Sequence, residues 1–153
     1  MKRLILLALA SAFLLWCADP EVEKLPPGKG KEVIAAVCTD CHGVANIRRQ
    51  RLSREEWTSE VSDMVDRGAD AKEDQIAVIL DYLTENFGKN SKLRVNTAPM
   101  IELKAVLELT AAEAGAIVDY RTAHGDFHSV EELLKVPGVP GGKIEAKKEV
   151  LGF

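Results

Sequence analysis

The chain has 153 residues, of which 46% are apolar, and its 20 Lys and Arg against 24 Asp and Glu give a formal charge of −4. Leaving out Lys2 and Arg3 of an apparent leader takes that charge from −4 to −6, which excludes a generally basic surface. An acidic surface does not favour nonspecific binding to nucleic acid or to anionic lipid. The length would fit one domain, but a leader, a linker and two sequence textures divide it into two small units, each limited in the core it can bury.

Met1-Lys2-Arg3 followed by the apolar run over residues 4–16 reads as a signal peptide over 1–17, too short for an ordinary membrane span. The expected location is therefore periplasmic or otherwise extracytoplasmic. Ala10-Ser11-Ala12 fits a cleavage rule but lies inside the apolar run, and Cys17 resembles a lipoprotein cysteine with bulky Trp16 where a small residue is expected. Cys17 is lipidated, removed, or left in an uncleaved anchor; the first and last outcomes would hold the protein at a membrane. Residues 18–27 form a tether.

Residues 28–90 read as an all-α unit. A first helix over 30–38 carries Val33, Ile34 and Val37 at helical spacing and runs into Cys38-Thr39-Asp40-Cys41-His42. C-x-x-C-H is the spacing at which a haem c is attached, with Cys38 and Cys41 in thioether bonds and His42 on the iron. A zinc ribbon would need a second ligand pair, and a thioredoxin-like dithiol would want a βαβ context. Neither explains His42. The basic cluster Arg48, Arg49, Arg51 and Arg54 suits haem propionates, Arg48 and Arg49 above all, or an acidic docking face; otherwise it is a solvated loop balanced by Glu55, Glu56 and Glu60. Ser53-Arg54-Glu55-Glu56 is a capping box opening a second helix with Trp57, Val61, Met64 and Val65 inward and Gly68 as its stop. A third helix over 72–87 turns Ile76, Ile79, Leu80, Leu83 and Phe87 inward and ends at Gly88.

Helix, C-x-x-C-H, loop, helix and a closing amphipathic helix resemble a small class I cytochrome c, especially the short modules that accompany periplasmic dehydrogenases. The resemblance implies a three-helix domain with one covalent haem c, electron carriage between protein partners such as a dehydrogenase, and no enzymatic activity. Such cytochromes present a Met ligand in the loop before the last helix, where this chain reads Arg67-Gly68-Ala69-Asp70-Ala71. Met64 is the nearest candidate for the sixth ligand. Its alternative is core filler between Val61 and Val65, which would leave the iron five-coordinate.

Residues 93–153 have a second texture. Thr97 is the expected N-cap of a helix with Pro99 in its first turn and Ile101, Leu103, Val106 and Leu107 as its apolar residues. Thr110-Ala111-Ala112-Glu113 and Ser129-Val130-Glu131-Glu132 read as two more capping boxes. Pro137-Gly138-Val139-Pro140-Gly141-Gly142 is a tight turn before a final helix from Lys143. The order Val-Asn-Thr-Ala, Ile-Val-x-Tyr-Arg, Gly-x-Phe-x-Ser-Val-Glu-Glu-Leu-Leu and Val-Pro-Gly-Val resembles the tandem helix-hairpin-helix module of exported competence-type DNA receptors. A photosystem II extrinsic subunit resembles the same module and uses it on protein. Against a DNA role stand a first hairpin without glycine (Leu107-Glu108-Leu109), Pro140 without an N–H in the second, and seven Lys and Arg against nine Asp and Glu from residue 93 on. His124 and His128 flank the Gly125 turn as a metal pair or as solvated turn residues.

The sequence thus predicts an all-α, exported monohaem electron carrier with a helix-hairpin-helix docking domain. A DNA-binding or DNA-uptake protein with an auxiliary haem is the first alternative. A haem sensor or small peroxidase with an open sixth site is the second.

Overall fold

The computed structural model describes residues 20–39 and 41–153. The expected leader, Cys17 and Asp40 lie outside the described residues. Among the described residues no helix is long and apolar enough to cross a membrane.

After a short helix α1 (Pro20–Glu23), the first unit consists of α2 (Lys31–Cys38), α3 (Ala45–Arg48), α4 (Arg54–Asp66) and α5 (Glu73–Phe87). Its apolar cluster includes Ile34, Val44, Ile47, Trp57, Ile79, Leu83 and Phe87. The Ser53 capping box forms as predicted: the Glu56 N–H donates to Ser53 Oγ at 3.3 Å and the Ser53 N–H donates to Glu56 Oε2 at 2.7 Å. Gly68 closes α4 with φ +109, a left-handed conformation that glycine adopts freely. Trp57 fastens α4 to the end of α5 by donating its indole N–H to the Phe87 carbonyl at 3.1 Å. Gly30 lets α2 meet α5, because a Cβ there would stand 2.3 Å from Tyr82 Cβ.

The second unit begins with β1 (Leu93–Arg94) and continues through α6 (Met100–Val106), α7 (Ala111–His124), α8 (Val130–Leu133) and α9 (Gly141–Ala146). A 3-10 turn (Lys148–Val150) and β2 (Leu151–Gly152) close it. The molecule is largely helical, as expected, but the parallel pairing of Leu93 with Leu151 and Arg94 with Gly152 was not. That pair sews the chain end to the start of the unit. A separate apolar cluster, with Leu103, Leu107, Ile117, Phe127, Leu133 and Ile144 among its fully buried members, fills the space between the helices.

Two sequence motifs of this unit are structural. Asn96 pins the two halves of the module together, donating from Nδ2 to the Phe127 carbonyl at 2.8 Å and accepting the Phe127 N–H at 2.8 Å. Arg121 donates to the carbonyls of Val95 and Ala98, and its burial lowers its pKa. Helix α6 starts after Pro99 rather than Thr97, because the Thr97 and Ala98 N–H groups both turn back to the Arg94 carbonyl. The Ser129 box is half formed: Glu132 N–H donates to Ser129 Oγ, while the Glu132 carboxylate accepts the His128 N–H at 2.8 Å.

The two units meet at α3 and α6. Arg48 Nη1 lies 2.9 Å from Glu102 Oε2 and Arg51 Nη2 lies 2.7 Å from Glu102 Oε1, with side-chain exposures of 2%, 15% and 7% for Arg48, Arg51 and Glu102. Two guanidiniums on one buried carboxylate bind each other's surroundings tightly only while all three are present. Arg51 also stacks over Phe87, its guanidinium carbon 5.5 Å from the ring centroid.

Candidate nucleic-acid interface

The second unit contains two helix-hairpin-helix elements in succession. In the first, α6 and α7 are joined by Leu107-Glu108-Leu109; in the second, α8 and α9 are joined by the turn through Pro137-Gly138-Val139. Glu108 stands where Gly138 stands, and Glu113 where Lys143 does. Glycine proves dispensable at the first turn. Glu108 takes φ +56 and Gly138 φ +83, so both turns use a left-handed residue at the same place. A non-glycine residue in that region costs roughly 1–2 kcal/mol. It is held there by buried Leu107 and Leu109 on either side, while Lys147 Nζ pairs with its carboxylate at 2.7 Å.

The hairpins differ in what their donors already hold. At the first, the Thr110 N–H donates to Glu113 Oε2 at 2.8 Å, the Glu113 N–H donates to Thr110 Oγ1 at 3.2 Å, and Lys143 Nζ reaches the same Oε2 at 2.8 Å. The protein's own carboxylate thus occupies the first hairpin. At the second, Pro140 precedes α9 without any side-chain cap, and a Cβ on Gly138 or Gly142 would meet nothing within 4 Å. That turn is open to an approaching group. The cations in and just after α9 are held by acids of the first hairpin: Lys147 lowers the Glu108 pKa through its hydrogen bond and charge, and Lys143 does the same for Glu113.

Two clefts flank these elements. One of about 450 Å³ lies between α3 and the first hairpin, lined by Arg49, Ile101, Lys104, Ala105, Glu108 and Leu109. The other, about 290 Å³, includes Tyr120, His124, Phe127, His128 and Lys135 in its lining. There Tyr120 stacks between His124 and Phe127, with ring centroids 4.2 and 5.4 Å away. Among the described residues no three His, Cys, Asp or Glu side chains gather as a metal cage, so the His124 and His128 pair lacks further ligands there.

The cysteine motif lies between α2 and α3 of the first unit. Cys38 ends α2 half-buried, and burial pushes its thiol up to about 11. Cys41 and His42 are exposed, and both cysteines are free thiols. His42 Nδ1 lies 3.0 Å from the Gly43 carbonyl oxygen. A carbonyl only accepts, so Nδ1 carries the proton, and in the neutral ring this tautomer leaves the lone pair on Nε2. These three residues fit covalent haem attachment. Met64 is half-buried on α4, and the side chains packed on the apolar cluster include Val61 and Ile76 but not Met64. The expectation that Arg48 serves a haem propionate is corrected: its guanidinium is buried on Glu102 at the junction of the units. Arg49 is exposed and lines the cleft beside α6.

Comparison with known proteins places the similarity in the second unit. Residues 88–151 match the helix-hairpin-helix motif family. The chain is 37% identical over 65 residues to an uncharacterised protein of Haemophilus influenzae, covering 42% of this chain and 58% of that one. It is 35% identical over 61 residues to ComE operon protein 1 of Bacillus subtilis, covering 40% and 30% of the two chains. It is 38% identical over 58 residues to mouse endonuclease/exonuclease/phosphatase family domain-containing protein 1, covering 38% and 10%. No solved structure matches. These matches overturn the reading of the chain as an electron carrier docked to redox proteins by its second domain: what it shares with known proteins is the helix-hairpin-helix module, with a ComE operon protein among its relatives, and none of these matches is to a cytochrome c. Residues 88–151 are a helix-hairpin-helix domain.

Proposed function

We propose that this protein binds duplex DNA through its tandem helix-hairpin-helix domain, as an exported DNA-binding or DNA-uptake component. The observation that carries the reading is the second hairpin: a left-handed Gly138, an uncapped turn into α9, and no side chain covering Gly138 or Gly142. Backbone N–H groups in such a turn suit a phosphate oxygen, and contact with phosphate positions a protein on duplex without reading its sequence. The similarity to a ComE operon protein supports the same direction. Neutralisation of Lys143 and Lys147 by Glu113 and Glu108 makes the expected affinity modest and nonspecific, in the range of roughly 1–100 µM at physiological salt. Fluorescence anisotropy of a labelled duplex with the full chain tests this: binding that weakens with salt and drops in Lys143→Glu is expected, and no binding up to millimolar protein would reject it.

A covalent haem c on Cys38 and Cys41, with His42 toward the iron, is the auxiliary part of this reading. The free thiols and the Nδ1 contact of His42 to Gly43 favour it. Such a group would supply a redox-active iron. Haem that stays with the denatured chain on a gel, and is lost in the Cys38→Ala and Cys41→Ala double variant, is the expected result; haem extractable by acid-acetone would refute attachment. In chain produced without haem, the half-buried Cys38 thiol should alkylate much more slowly than exposed Cys41 near neutral pH, because little of it is thiolate. Equal rates by mass spectrometry would show that the burial is wrong.

A further inference from the structure

We infer that Arg49 of the first unit and Lys104 of α6 together form the phosphate contact of the first hairpin, so that both units make up one DNA-binding surface. The inference rests on the DNA reading above and adds to it a cation that does not belong to the helix-hairpin-helix domain. The first hairpin has little backbone to offer a phosphate, since Glu113 already accepts the Thr110 N–H. It also lacks a lysine where the second hairpin carries Lys143, because Glu113 stands there. Beside it, however, opens the cleft of about 450 Å³ with Arg49 on one wall and Lys104 on the other.

Charge accounting points to an anion. Glu108, the acid in the lining, is paired with Lys147 at 2.7 Å. Arg49 and Lys104 are exposed, and among the described residues neither side chain has an ion pair or hydrogen-bond acceptor. Two unneutralised cations therefore face the same opening. Ile101, Ala105 and Leu109 line the rest of it and add no competing acceptor from their side chains.

Placement makes the pairing reproducible. Arg49 follows Arg48 and precedes Arg51 by two residues, and both of those are clamped on Glu102, which lies two residues before Lys104. The buried junction thus fixes the separation of the two walls, and a guanidinium on a fixed wall loses less freedom on meeting a phosphate than one on a mobile loop. A phosphodiester backbone, with a negative charge at every nucleotide, fits two cations beside a hairpin of a DNA-binding module.

The test measures binding of a short mixed-sequence duplex to the full chain across a salt series, for the wild type, Arg49→Gln, Lys104→Gln, the double variant, and Lys143→Gln in the other hairpin. Arg67→Gln, an exposed change at the end of α4, serves as the control. Each of the first two variants should weaken binding by roughly three- to tenfold and lower the salt slope by about 0.9, one phosphate contact's worth, with Arg67→Gln unchanged. Loss in Lys143→Gln with Arg49→Gln and Lys104→Gln at wild-type affinity overturns the inference while leaving DNA binding in place. Equal loss in all variants, Arg67→Gln included, reduces the effect to net charge and also overturns it. Absence of wild-type binding removes the DNA reading itself and the inference with it. Unchanged thermal midpoints are expected for Arg49→Gln, Lys104→Gln and Arg67→Gln, whose side chains are exposed and without partners, and a cooperative melt shows that Lys143→Gln, which loses its pair with Glu113, is folded.

Discussion

The two hairpins of the second unit share a backbone and differ in almost everything that would meet a ligand. In the first, Glu108 is forced into the left-handed region and Glu113 fills the turn's donors with a carboxylate. In the second, Gly138 adopts that conformation freely and the turn ahead of α9 is uncapped. The first hairpin is also fastened to the preceding unit through Glu102 of α6. A repeated fold thus does not repeat a site: one copy is consumed by packing and internal charge, and the other stays open. The lysines of the open copy, Lys143 and Lys147, are in turn held by the acids of the closed one.

The largest way to break this comparison is Glu102→Ala. Removing the carboxylate strands two largely buried guanidiniums, and loss of a partner from such a pair costs about 3–5 kcal/mol. Chemical denaturation should show that loss. A loss below about 1 kcal/mol would mean that the junction is solvated, as surface pairs are. Replacing all three groups with apolar residues of similar volume should recover much of the stability, because desolvation opposes the Coulombic gain.

Second in size is Gly138→Ala, which imposes at the open hairpin the conformational cost that Glu108 already bears, about 1–2 kcal/mol. The reciprocal change, Glu108→Gly, relieves that strain but adds chain entropy of about 0.4–1 kcal/mol and removes an exposed ion pair. It should leave stability within about 1 kcal/mol of wild type while freeing Lys147 and tightening duplex binding a few-fold. Equal destabilisation by both changes in thermal melts would erase the difference between the hairpins.

Ser53 and Thr110 were readable as N-caps because each interaction spans three residues. Gly68 and Gly125 marked helix ends for the same local reason. Thr97 was misread because a turn back to Arg94 displaces the helix start, and the Glu132 carboxylate went to His128 because a neighbouring backbone N–H competed for it. The arginine cluster was visible, but Arg48 pairs with a glutamate 54 residues away, and no local pattern carries that partner. The missing glycine in the first hairpin counts against a DNA role in the sequence, yet the turn forms without it, because buried leucines on both sides hold Glu108 left-handed. The C-x-x-C-H motif drew the functional reading toward electron carriage, whereas the similarity to known proteins lies in the helix-hairpin-helix module.

The smallest effect concerns pH. Lys147 holds the Glu108 carboxyl, and Lys143 the Glu113 carboxyl, below the usual glutamate range. The stabilisation these pairs give is complete above that range and is lost as pH falls through the lowered folded values. Protonation frees Lys143 and Lys147, so duplex affinity should rise as the solution is taken below the usual glutamate range, and the rise should shrink in Glu108→Gln. An affinity flat with pH in the wild type would show that Lys143 and Lys147 do not reach the duplex.

The most direct test of the central claim is a backbone amide NMR titration of the full chain with duplex DNA. The account predicts dose-dependent shifts at Gly138, Gly141 and Gly142, while Thr110, whose N–H is held by Glu113, stays nearly still. Shifts confined to the first unit, or equal at the two hairpins, would contradict it.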